Sequence, residues 1–375
     1  MKDLIFICHS SYYKDVPFDP NFGITFGFLN HYFGESGYST IRHSLYKGGE
    51  SRIYREGCTD NYYKVLFLGS LPNVIRYISE LVVNFFILLF NRPKIVIAID
   101  PLSCFIPSLL WKIGYIKKVF FITPDFAEER FENKILNKIY FFIDKFCTFN
   151  SSRNIVCAQT VIDYKISMYK APGKLFFHMP NIPNPWVIDN LKNIKKVVNR
   201  IVYVGNISKQ VDFYNIFKIF SAIKNKEKNI SLHIIGDGDL KNSLVSYVRE
   251  NDLEDIHFCG QLNYQDTLKE IAESEIGIAL YNGSLSYDKF RDSCKIREYQ
   301  SLLTIPITTL VVKANVDEIK EFNSGVIVNS NDMLSEILSK LLLATDYKRS
   351  FLYGMGTNNN LYLNKYKEMF SLVNL

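Results

Sequence analysis

Two basic residues and one acidic residue in the second half of the chain have the types and spacing to hold a phosphorylated ligand. Lys209 follows an apolar run, 201–204, that ends in Gly205 and Asn206. A glycine at this point lets the backbone approach a ligand closely, and the helix predicted after it offers free N–H groups and a positive dipole end. Lys209 could neutralise a diphosphate there, although the same pattern is typical of an ordinary turn.

Lys295 and Glu298 are the second and third of these residues. They are three residues apart at the start of a predicted helix, so their side chains share one face. The Glu298 carboxylate could accept hydrogen bonds from ribose hydroxyls while Lys295 faces the diphosphate. The competing interpretation is a surface salt bridge. Arg291, four residues before Lys295, could add a positive charge.

A Gly-Asp-Gly-Asp turn at 236–239 lies between these segments. Gly236 ends a predicted strand, and Asp237 and Asp239 could hold Mg²⁺ against a diphosphate. The pair adjoins the start of a predicted helix and Gly238 makes the turn, which favours a local structural role. We therefore predict no metal site.

Short apolar runs alternate with helical stretches along the whole chain, which predicts an α/β fold with parallel sheets covered by helices on both faces. In the first half, strands are predicted at 4–8, 63–68, 95–99, 119–122, 154–157 and 175–178, and helices at 24–34, 74–90 and 131–146. In the second half, strands are predicted at 201–204, 231–235, 256–259, 276–280, 305–309 and 325–328, and helices at 213–224, 240–250, 265–273, 295–302 and 332–343.

Three prolines within 180–185 cannot lie inside a regular element and therefore mark a linker. It separates a Rossmann-like domain at 1–183 from a second at 184–345. A helical segment at 346–375, interrupted at 354–360, is expected to pack back on the first domain. Because such sheets bind ligands beyond the carboxyl ends of their strands, we expect the site in a cleft between the two domains.

The segments at 201–209, 232–240 and 288–309, in this order and with a strand-and-glycine step at 256–260, resemble the C-terminal donor-binding domain of the retaining GT-B glycosyltransferases of family 4. The resemblance covers about 200–343. In the first half, 41–46 and 125–144 look like segments of polysaccharide-assembly members of that family. The fold that this resemblance implies is GT-B, two Rossmann-like domains facing each other across a cleft.

The resemblance also implies roles for individual residues. Glu298 would hold the donor ribose, and Lys209 and Lys295 would neutralise its diphosphate. Asp125 would lie near the transferred sugar and act in catalysis together with Lys209 and Glu298. The remaining donor-binding positions would be Gly23, Gly205, Asn206, Gly236 and Arg291.

The sequence departs from the family pattern at two positions. The family has two Glu residues eight positions apart. Glu298 matches the second, and Phe290 stands at the position of the first. Asp288, Arg291 or Asp292 could replace it. The family's Arg after the strand-ending glycine is Asn206 here, and Arg291 could restore the missing charge.

The net charge of +6, from 44 Lys and Arg against 38 Asp and Glu, suits anionic partners such as nucleotide diphosphates. No basic, aromatic-rich run indicates nucleic acid. Seven scattered cysteines without a Cys-x-x-Cys pair predict reduced thiols and a cytoplasmic protein. The apolar segment 71–91 is interrupted by Arg76 and Glu80, which predicts either a buried helix or one that touches the inner membrane surface, with Arg76, Arg92 and Lys94 near headgroups.

Taken with the resemblance, these features predict transfer of a sugar from a nucleotide-diphosphate sugar to a glycan or polyprenyl-linked glycan, with retention and without a metal or other cofactor. The candidate general bases are His9, Asp19, His31 and Asp125. The leaving phosphate could also take the acceptor proton. Two alternatives stay open, a catalytically silent nucleotide-sugar-binding subunit and a nucleotide-sugar epimerase. A nicotinamide dehydrogenase is disfavoured because no Gly-x-Gly-x-x-Gly follows the first strand.

Overall fold

The computed structural model describes residues 3–10, 28–29, 31–33, 37–44, 51–54, 62–64, 68, 71–191, 193–225, 229–329, 331–343 and 345–374. The chain forms two compact units. Unit 1 comprises Met1–Pro180 together with Tyr366–Leu375, and unit 2 comprises Asn181–Lys365.

Unit 1 is built on an eight-stranded sheet of order β4-β3-β2-β1-β5-β6-β7-β8. Its strands are β1 (Leu4–Ser10), β2 (Ser39–Ser44), β3 (Arg52–Tyr54), β4 (Tyr62–Lys64), β5 (Ile95–Ile99), β6 (Lys118–Thr123), β7 (Arg153–Val156) and β8 (Phe176–His178). Its helices include α1 (Asn73–Asn91), α2 (Pro101–Lys112), α3 (Lys134–Phe149) and α4 (Gln159–Tyr169). All neighbours are parallel except β2–β3 and β3–β4, which are antiparallel, so this sheet is mixed at one edge rather than purely parallel.

Unit 2 is built on a six-stranded parallel sheet of order β11-β10-β9-β12-β13-β14. Its strands are β9 (Arg200–Val204), β10 (Ser231–Ile235), β11 (Ile256–Gly260), β12 (Ile276–Ala279), β13 (Ile305–Thr309) and β14 (Val326–Val328). Its helices are α5 (Pro185–Asp189), α6 (Phe213–Lys224), α7 (Lys241–Glu250), α8 (Tyr264–Glu273), α9 (Cys294–Ser301), α10 (Lys313–Phe322), α11 (Asn331–Leu343) and most of α12 (Thr345–Asn374).

The cores follow from the apolar strands. Ile5, Phe6 and Ile7 of β1 have no exposed surface, because helices cover both faces of a parallel sheet and neither face can be polar. In unit 2, one apolar cluster contains Ile234 and Phe217, and a second contains Leu268 and Tyr299. Residues of these clusters come from strands and from the helices that pack on them.

Each sheet has one point where the chain reverses its direction of progress across the strands. In unit 1 this switch point lies between β1 and β5, and in unit 2 it lies between β9 and β12. Ligands of open α/β sheets bind beyond the carboxyl ends of the strands at such points. The residues that directly follow β1, β5, β9 and β12 are therefore the first to consider for function.

Several elements differ from the sequence-based prediction. Strands β2 and β3 and helices α2, α4, α5 and α10 were not predicted, and α5 begins at Pro185, inside the segment predicted as a linker. The predicted helix at 24–34 is helical at 28–29 and 31–33, and its other positions lie outside the described residues. The predicted break at 354–360 is wrong, because α12 runs without interruption through it.

Candidate functional site

Three glycines shape the carboxyl ends of β9 and β10 in unit 2. Gly205 follows β9 with φ 137°, and Gly236 and Gly238 follow β10 with φ 136° and 154°. A Cβ on Gly236 would lie 2.0 Å from the Gly205 carbonyl oxygen, and one on Gly238 would lie 2.4 Å from Asn206 Oδ1. Only glycine allows these two turns to lie against each other, and this packing brings Gly205, Asn206 and Gly236 together.

Lys295 lies directly over the Gly205 turn. A Cβ on Gly205 would stand 2.4 Å from Lys295 Nζ, which places the ammonium group against the backbone that ends β9. Nζ also lies 4.9 Å from the centroid of the Tyr203 ring and 5.5 Å from that of Tyr281. Burial lowers the pKa of Lys295, but the phenols of Tyr281 and Tyr203 outweigh burial and the pKa is raised. Lys295 is therefore a cation held at the switch point of unit 2.

Arg291 places a second cation on the same aromatic ring. Its guanidinium carbon lies 4.5 Å from the Tyr281 centroid and 5.1 Å from that of Tyr287. Arg291 also donates to Asp288 Oδ1 (2.6 Å) and to Gln210 Oε1 (3.0 Å). Because Tyr281 follows β12 by two residues, both cations border the carboxyl ends of β9 and β12.

Lys209 lies in the loop after Gly205, with an exposed side chain. Asn282 fixes this loop, since its Nδ2 donates to the Lys209 carbonyl (2.6 Å) and its amide donates to the Gln210 carbonyl (3.1 Å). The backbone of Lys209 is thus anchored beside Arg291, while its ammonium group makes no ion pair with any residue that the structure describes. Asn206, at the predicted position of a missing Arg, is exposed.

Glu298 is buried on α9, with 7% of its surface exposed. Cys294 Sγ lies 3.6 Å from its Oε1. Burial raises the pKa of the Glu298 carboxyl, and contacts with Tyr264, Cys294 and Lys295 oppose that shift. The structure therefore does not show a simple Lys295–Glu298 surface salt bridge, because Lys295 turns to the tyrosines and Glu298 is enclosed.

Tyr299 fixes α9 to the sheet. Its hydroxyl accepts the Val204 amide (3.1 Å) and lies 3.3 Å from the Ile278 carbonyl, to which it donates. Its ring packs on Gly277, where a Cβ would approach it to 2.4 Å. One side chain thereby joins the last residue of β9 to β12 and sets the position of Lys295 and Glu298. Tyr299, Tyr281 and Gln210 were not among the site residues predicted from the sequence.

Two of the candidates for the missing Glu are already paired with arginines. Asp288 is buried and pairs with Arg291, and Asp292 pairs with Arg297 and accepts the Asn181 amide (2.6 Å). Phe290 itself is buried, with 6% of its surface exposed. Only Arg291, through its position on Tyr281, retains a role at the site.

The Gly-Asp-Gly-Asp turn has a local structural role. Asp237 Oδ1 accepts the Gly238 amide (2.9 Å), and Asp237 Oδ2 lies 3.5 Å from Lys241 Nζ at the start of α7. The carboxylate thus closes its own turn. Within the described ranges, no group of three or more His, Cys, Asp or Glu side chains could hold a metal ion.

Asp125 in unit 1 follows β6, the sixth strand of the sheet in chain order. Its side chain is 69% exposed and its Oδ1 accepts Arg130 Nη1 (3.1 Å). Gly23 and Asp19 lie outside the described residues. His31 is exposed and contacts Tyr32 edge-on, with ring centroids 4.8 Å apart.

His9, another of the predicted bases, lies near the end of β1 between two carboxylates. Its Nδ1 donates to Asp100 Oδ2 (2.7 Å) and its Nε2 donates to Glu80 Oε2 (3.0 Å). Burial lowers the pKa of His9, but Asp100 and Glu80 overcome it and raise the pKa to about 10. The imidazole is therefore protonated at neutral pH and cannot accept a proton as a general base.

Helix α1 has the reverse of the usual amphipathic arrangement. Arg76, Glu80 and Asn84 are buried, with 1–2% of their surface exposed, and point toward the polar residues of the sheet. Ile78 and Phe90 on the outer face are 56% and 77% exposed. Arg76 is therefore not available to headgroups, contrary to the prediction.

Val74–Asn91 is long and apolar enough to cross a bilayer by length and composition, and only 22% of its residues are buried. The sequence-based prediction, a buried helix or one that touches the membrane surface, did not include such a span. Since Glu80 bonds to His9 of the sheet, however, the polar face ties α1 to unit 1.

Residues 187–352 match the family described as Glycosyl transferases group 1, which is less than half of the chain. No curated protein matches the chain.

Three solved structures illustrate the similarity of fold. HepE of Anabaena in complex with UDP has 9% identity and a TM-score of 0.66, covering 99% of this chain and 99% of that one. An α,α-trehalose-phosphate synthase (UDP-forming) of Burkholderia vietnamiensis has 11% identity and a TM-score of 0.66, covering 99% and 98%. WaaG, a glycosyltransferase involved in lipopolysaccharide biosynthesis, has 13% identity and a TM-score of 0.64, covering 98% and 99%. The fold is of the GT-B type, and with the family match it supports a glycosyltransferase.

Proposed function

We propose that the protein transfers a sugar from a nucleotide-diphosphate sugar to a glycan or polyprenyl-linked glycan acceptor, with retention of configuration. The observation that carries this proposal is the position of Lys295 at the switch point of unit 2. Lys295 lies against Gly205, and both Lys295 and Arg291 lie over the ring of Tyr281. Two cations at a switch point suit a diphosphate, because the ligand meets positive charge where open α/β sheets bind their ligands.

In this proposal the diphosphate contacts Lys295, Arg291 and the loop of Lys209. Glu298, three residues after Lys295 on α9, accepts hydrogen bonds from the ribose. The amides of Gly205 and Gly236 already donate to the carbonyls of Ile235 (2.9 Å) and Gly260 (2.8 Å), so the phosphates meet the side chains of Lys295 and Arg291 rather than these two N–H groups. HepE in complex with UDP and the UDP-forming synthase share this fold, which supports a uridine nucleotide as the first donor to test.

Cleavage of the sugar–phosphate bond places negative charge on the leaving diphosphate. Fixed cations stabilise such charge without reorganising during the reaction, and loss of one comparable donor typically costs about 10²–10³ in rate. Lys295 and Arg291 supply this charge, so the proposed transfer needs no metal. Since His9 is protonated, the acceptor proton goes to the leaving phosphate or to Asp125, whose exposed carboxylate lies beyond β6.

The direct test is nucleotide binding by the intact chain. UDP, GDP, CDP and ADP are compared by thermal shift, and binding at 100 times the dissociation constant stabilises the folded state by about 2.7 kcal/mol. We expect one nucleotide to stabilise the protein and Lys295→Ala to weaken its binding at least tenfold. Lys313→Ala, which removes an exposed lysine paired only within α10, is the matched control. No stabilisation by any of the four nucleotides would falsify the proposal.

One observation favours a second candidate function, a catalytically silent nucleotide-sugar-binding subunit. Phe290 is buried where the resembled family has its first Glu, and Asp288 and Asp292 are both paired with arginines. A silent subunit would bind the nucleotide without consuming the donor. Release of nucleotide from UDP-glucose and other donor sugars, with and without a glycan acceptor, separates the two functions.

We further propose that the outer face of α1 rests on the inner surface of the cell membrane, which makes the protein cytoplasmic and peripheral. Its exposed side chains Ile78, Val82, Phe86 and Phe90 recur at helical spacing, and Arg92 and Lys94 follow them in the chain. Such a face binds a bilayer through apolar burial and through attraction of basic residues to anionic lipids.

Cosedimentation with vesicles of phosphatidylglycerol and phosphatidylcholine tests the membrane proposal. We expect the double variant Phe86→Ser, Phe90→Ser to lose most vesicle binding while nucleotide binding is unchanged. Val245→Ser, which removes an exposed apolar side chain from α7 of unit 2, should bind as the unchanged protein does. Equal binding of all three proteins would exclude α1 as the membrane contact.

A further inference from the structure

Helix α9 carries a buried arginine that the proposed donor site does not use. Arg297 lies between Lys295 and Glu298 in the chain and has 1% of its surface exposed. Its Nη1 pairs with Asp292, and its Nε and Nη2 each lie 2.9 Å from Glu318 Oε2. Because a buried charge without a partner is strongly unfavourable, these pairs hold the two carboxylates in fixed places.

Asp292 belongs to the segment 291–293, which leads into α9 and is held at two successive residues. Asp292 accepts the Asn181 amide (2.6 Å) on Oδ2 as well as the guanidinium on Oδ1. Ser293 is held by Asn315, whose Oδ1 accepts the Ser293 amide (2.8 Å) and whose Nδ2 donates to the Ser293 carbonyl (3.1 Å). These contacts fix the backbone of the segment.

The orientation of Asp292 sets the direction of Arg291. The backbone of Arg291 is extended, with φ −67° and ψ 133°, and successive side chains of an extended chain point to opposite sides. Asp292 points inward to Arg297, and its side chain is 1% exposed, against 19% for Arg291. Arg291 is thereby directed to the other side, where its guanidinium carbon lies 4.5 Å from the Tyr281 centroid.

A different contact holds the other donor residues of α9. Tyr299 bonds α9 to β9 and β12, so Lys295 and Glu298 keep their places when Arg297 is replaced. Glu318 belongs to α10 and anchors the guanidinium on the side away from Asp292. Of the two cations proposed to bind the diphosphate, Arg297 therefore acts on Arg291.

We propose that Arg297 is a positioning residue, which holds Asp292 and thereby directs Arg291 to the diphosphate of the donor. The inference rests on the proposed glycosyltransferase function and adds the residue that prepares its diphosphate contact. Arg297 itself touches no substrate, because Asp292 and Glu318 occupy its guanidinium. Its effect on binding passes through Arg291, so a nucleoside without phosphates is insensitive to it.

Nucleotide titration of the intact protein tests this inference without requiring turnover. The probes are UDP, GDP, CDP and ADP, measured by calorimetry, and the four corresponding nucleosides, measured by saturation-transfer NMR. We expect Arg297→Met to weaken binding of the preferred diphosphate at least tenfold and to change the affinity for its nucleoside less than twofold. Arg200→Met is the matched control, since Arg200 also pairs with two carboxylates but begins β9, at the opposite end from Gly205. It should leave both affinities unchanged.

A double-mutant cycle separates positioning from a general loss of structure. Because Arg291→Ala removes the group that Arg297 directs, adding Arg297→Met to it should weaken diphosphate binding no further. Asp292→Ala is a second test if Arg297→Met does not fold. It breaks the same connection while Glu318 still pairs with Arg297, and it should also weaken diphosphate binding at least tenfold.

Three results would overturn the role of Arg297. They are normal diphosphate binding by Arg297→Met or Asp292→Ala, an equal loss of nucleoside and diphosphate binding, and a loss that multiplies with that of Arg291→Ala. Failure of the unchanged protein to bind any of the four diphosphates is a distinct result. It contradicts the proposed donor site itself, and the inference about Arg297 falls with it.

Discussion

At the scale of single residues, the charge on His9 is the property that the structure changes most. Burial of the ring lowers the pKa of His9, but Asp100 and Glu80 outweigh that effect and raise the pKa to about 10. A group with a raised pKa in the folded state stabilises fully below its unfolded pKa, about 6.5, and loses that contribution as pH rises through about 10. We therefore expect the His9 contribution to the free energy of unfolding to fall by a few kcal/mol between pH 6.5 and pH 10.

Urea unfolding of the intact protein and of His9→Gln across this range measures that contribution. The comparison is necessary because Lys196, whose pKa burial lowers to about 7, changes stability in the opposite direction over the same range. Lys196 is present in both proteins and cancels in the difference. If the stability difference between the two proteins does not shrink as pH rises, the ion cluster around His9 is not the one described.

Residue-level reasoning from the sequence identified Lys295, Gly205 and Arg291, which the structure brings together at the end of β9. Each lies at a feature that can be recognised from a few neighbouring residues, either a glycine turn or the start of a helix. Tyr281 and Asp100 were missed because their importance depends on which strands are neighbours. That order is set by contacts far apart in the chain, and no local pattern contains it.

At the scale of elements, apolar periodicity predicted the six strands of unit 2 and most of its helices, but not α5 and α10. Strand β2 was missed because it reads Ser-Thr-Ile-Arg-His-Ser, although all six residues are buried. One of its polar side chains, His43, bonds to other polar groups, Ser51 (3.1 Å) and Asn84 (2.9 Å). Helix α1 inverts the expected pattern for the same reason, because its partner in the sheet is polar.

Helix α12 gives the clearest prediction at this scale. Gly354 suggested a break, yet the helix continues, and a Cβ at 354 would lie 1.8 Å from the Phe322 carbonyl oxygen and 2.9 Å from that of Asn323. Glycine is there because α12 passes closely over the end of α10. An alanine normally stabilises a helix by about 1 kcal/mol relative to glycine. We expect Gly354→Ala to destabilise instead, by about 1–3 kcal/mol.

Urea unfolding of Gly354→Ala measures this effect. Gly173→Ala is the control, because a Cβ at 173 meets only Ile166 Cδ1 at 3.8 Å, an ordinary contact. The control should change the free energy of unfolding by much less. A stabilised Gly354→Ala protein would mean that α12 does not lie against α10.

At the scale of the whole molecule, α12 is the one described helix whose residues are divided between the two units. Thr345–Lys365 belongs to unit 2 and Tyr366–Asn374 to unit 1. In unit 2, the hydroxyl of Tyr362 donates to Gln300 of α9 (3.0 Å). In unit 1, the Phe370 ring stacks on Tyr32 at 4.2 Å. The predicted packing of 346–375 on the first domain is therefore testable through its last ten residues.

Tyr366 is fully buried in unit 1, with its ring 6.5 Å from that of Phe28. Replacing a buried aromatic ring by alanine typically costs about 3–5 kcal/mol. We expect Tyr366→Ala to lower the unfolding temperature of unit 1. Calorimetry of the intact chain measures this temperature. UDP binding should persist at temperatures where unit 2 remains folded, because the proposed donor residues all belong to unit 2.

Lys367→Ala is the matched control, since the neighbouring Lys367 is exposed on the same helical turn. It should leave both the unfolding temperature and UDP binding unchanged. If Tyr366→Ala instead behaves like this control, the end of α12 contributes nothing to unit 1. If it abolishes UDP binding in protein that is still folded, then the tail supports the donor site, and the assignment of Tyr366–Leu375 to unit 1 does not describe its function.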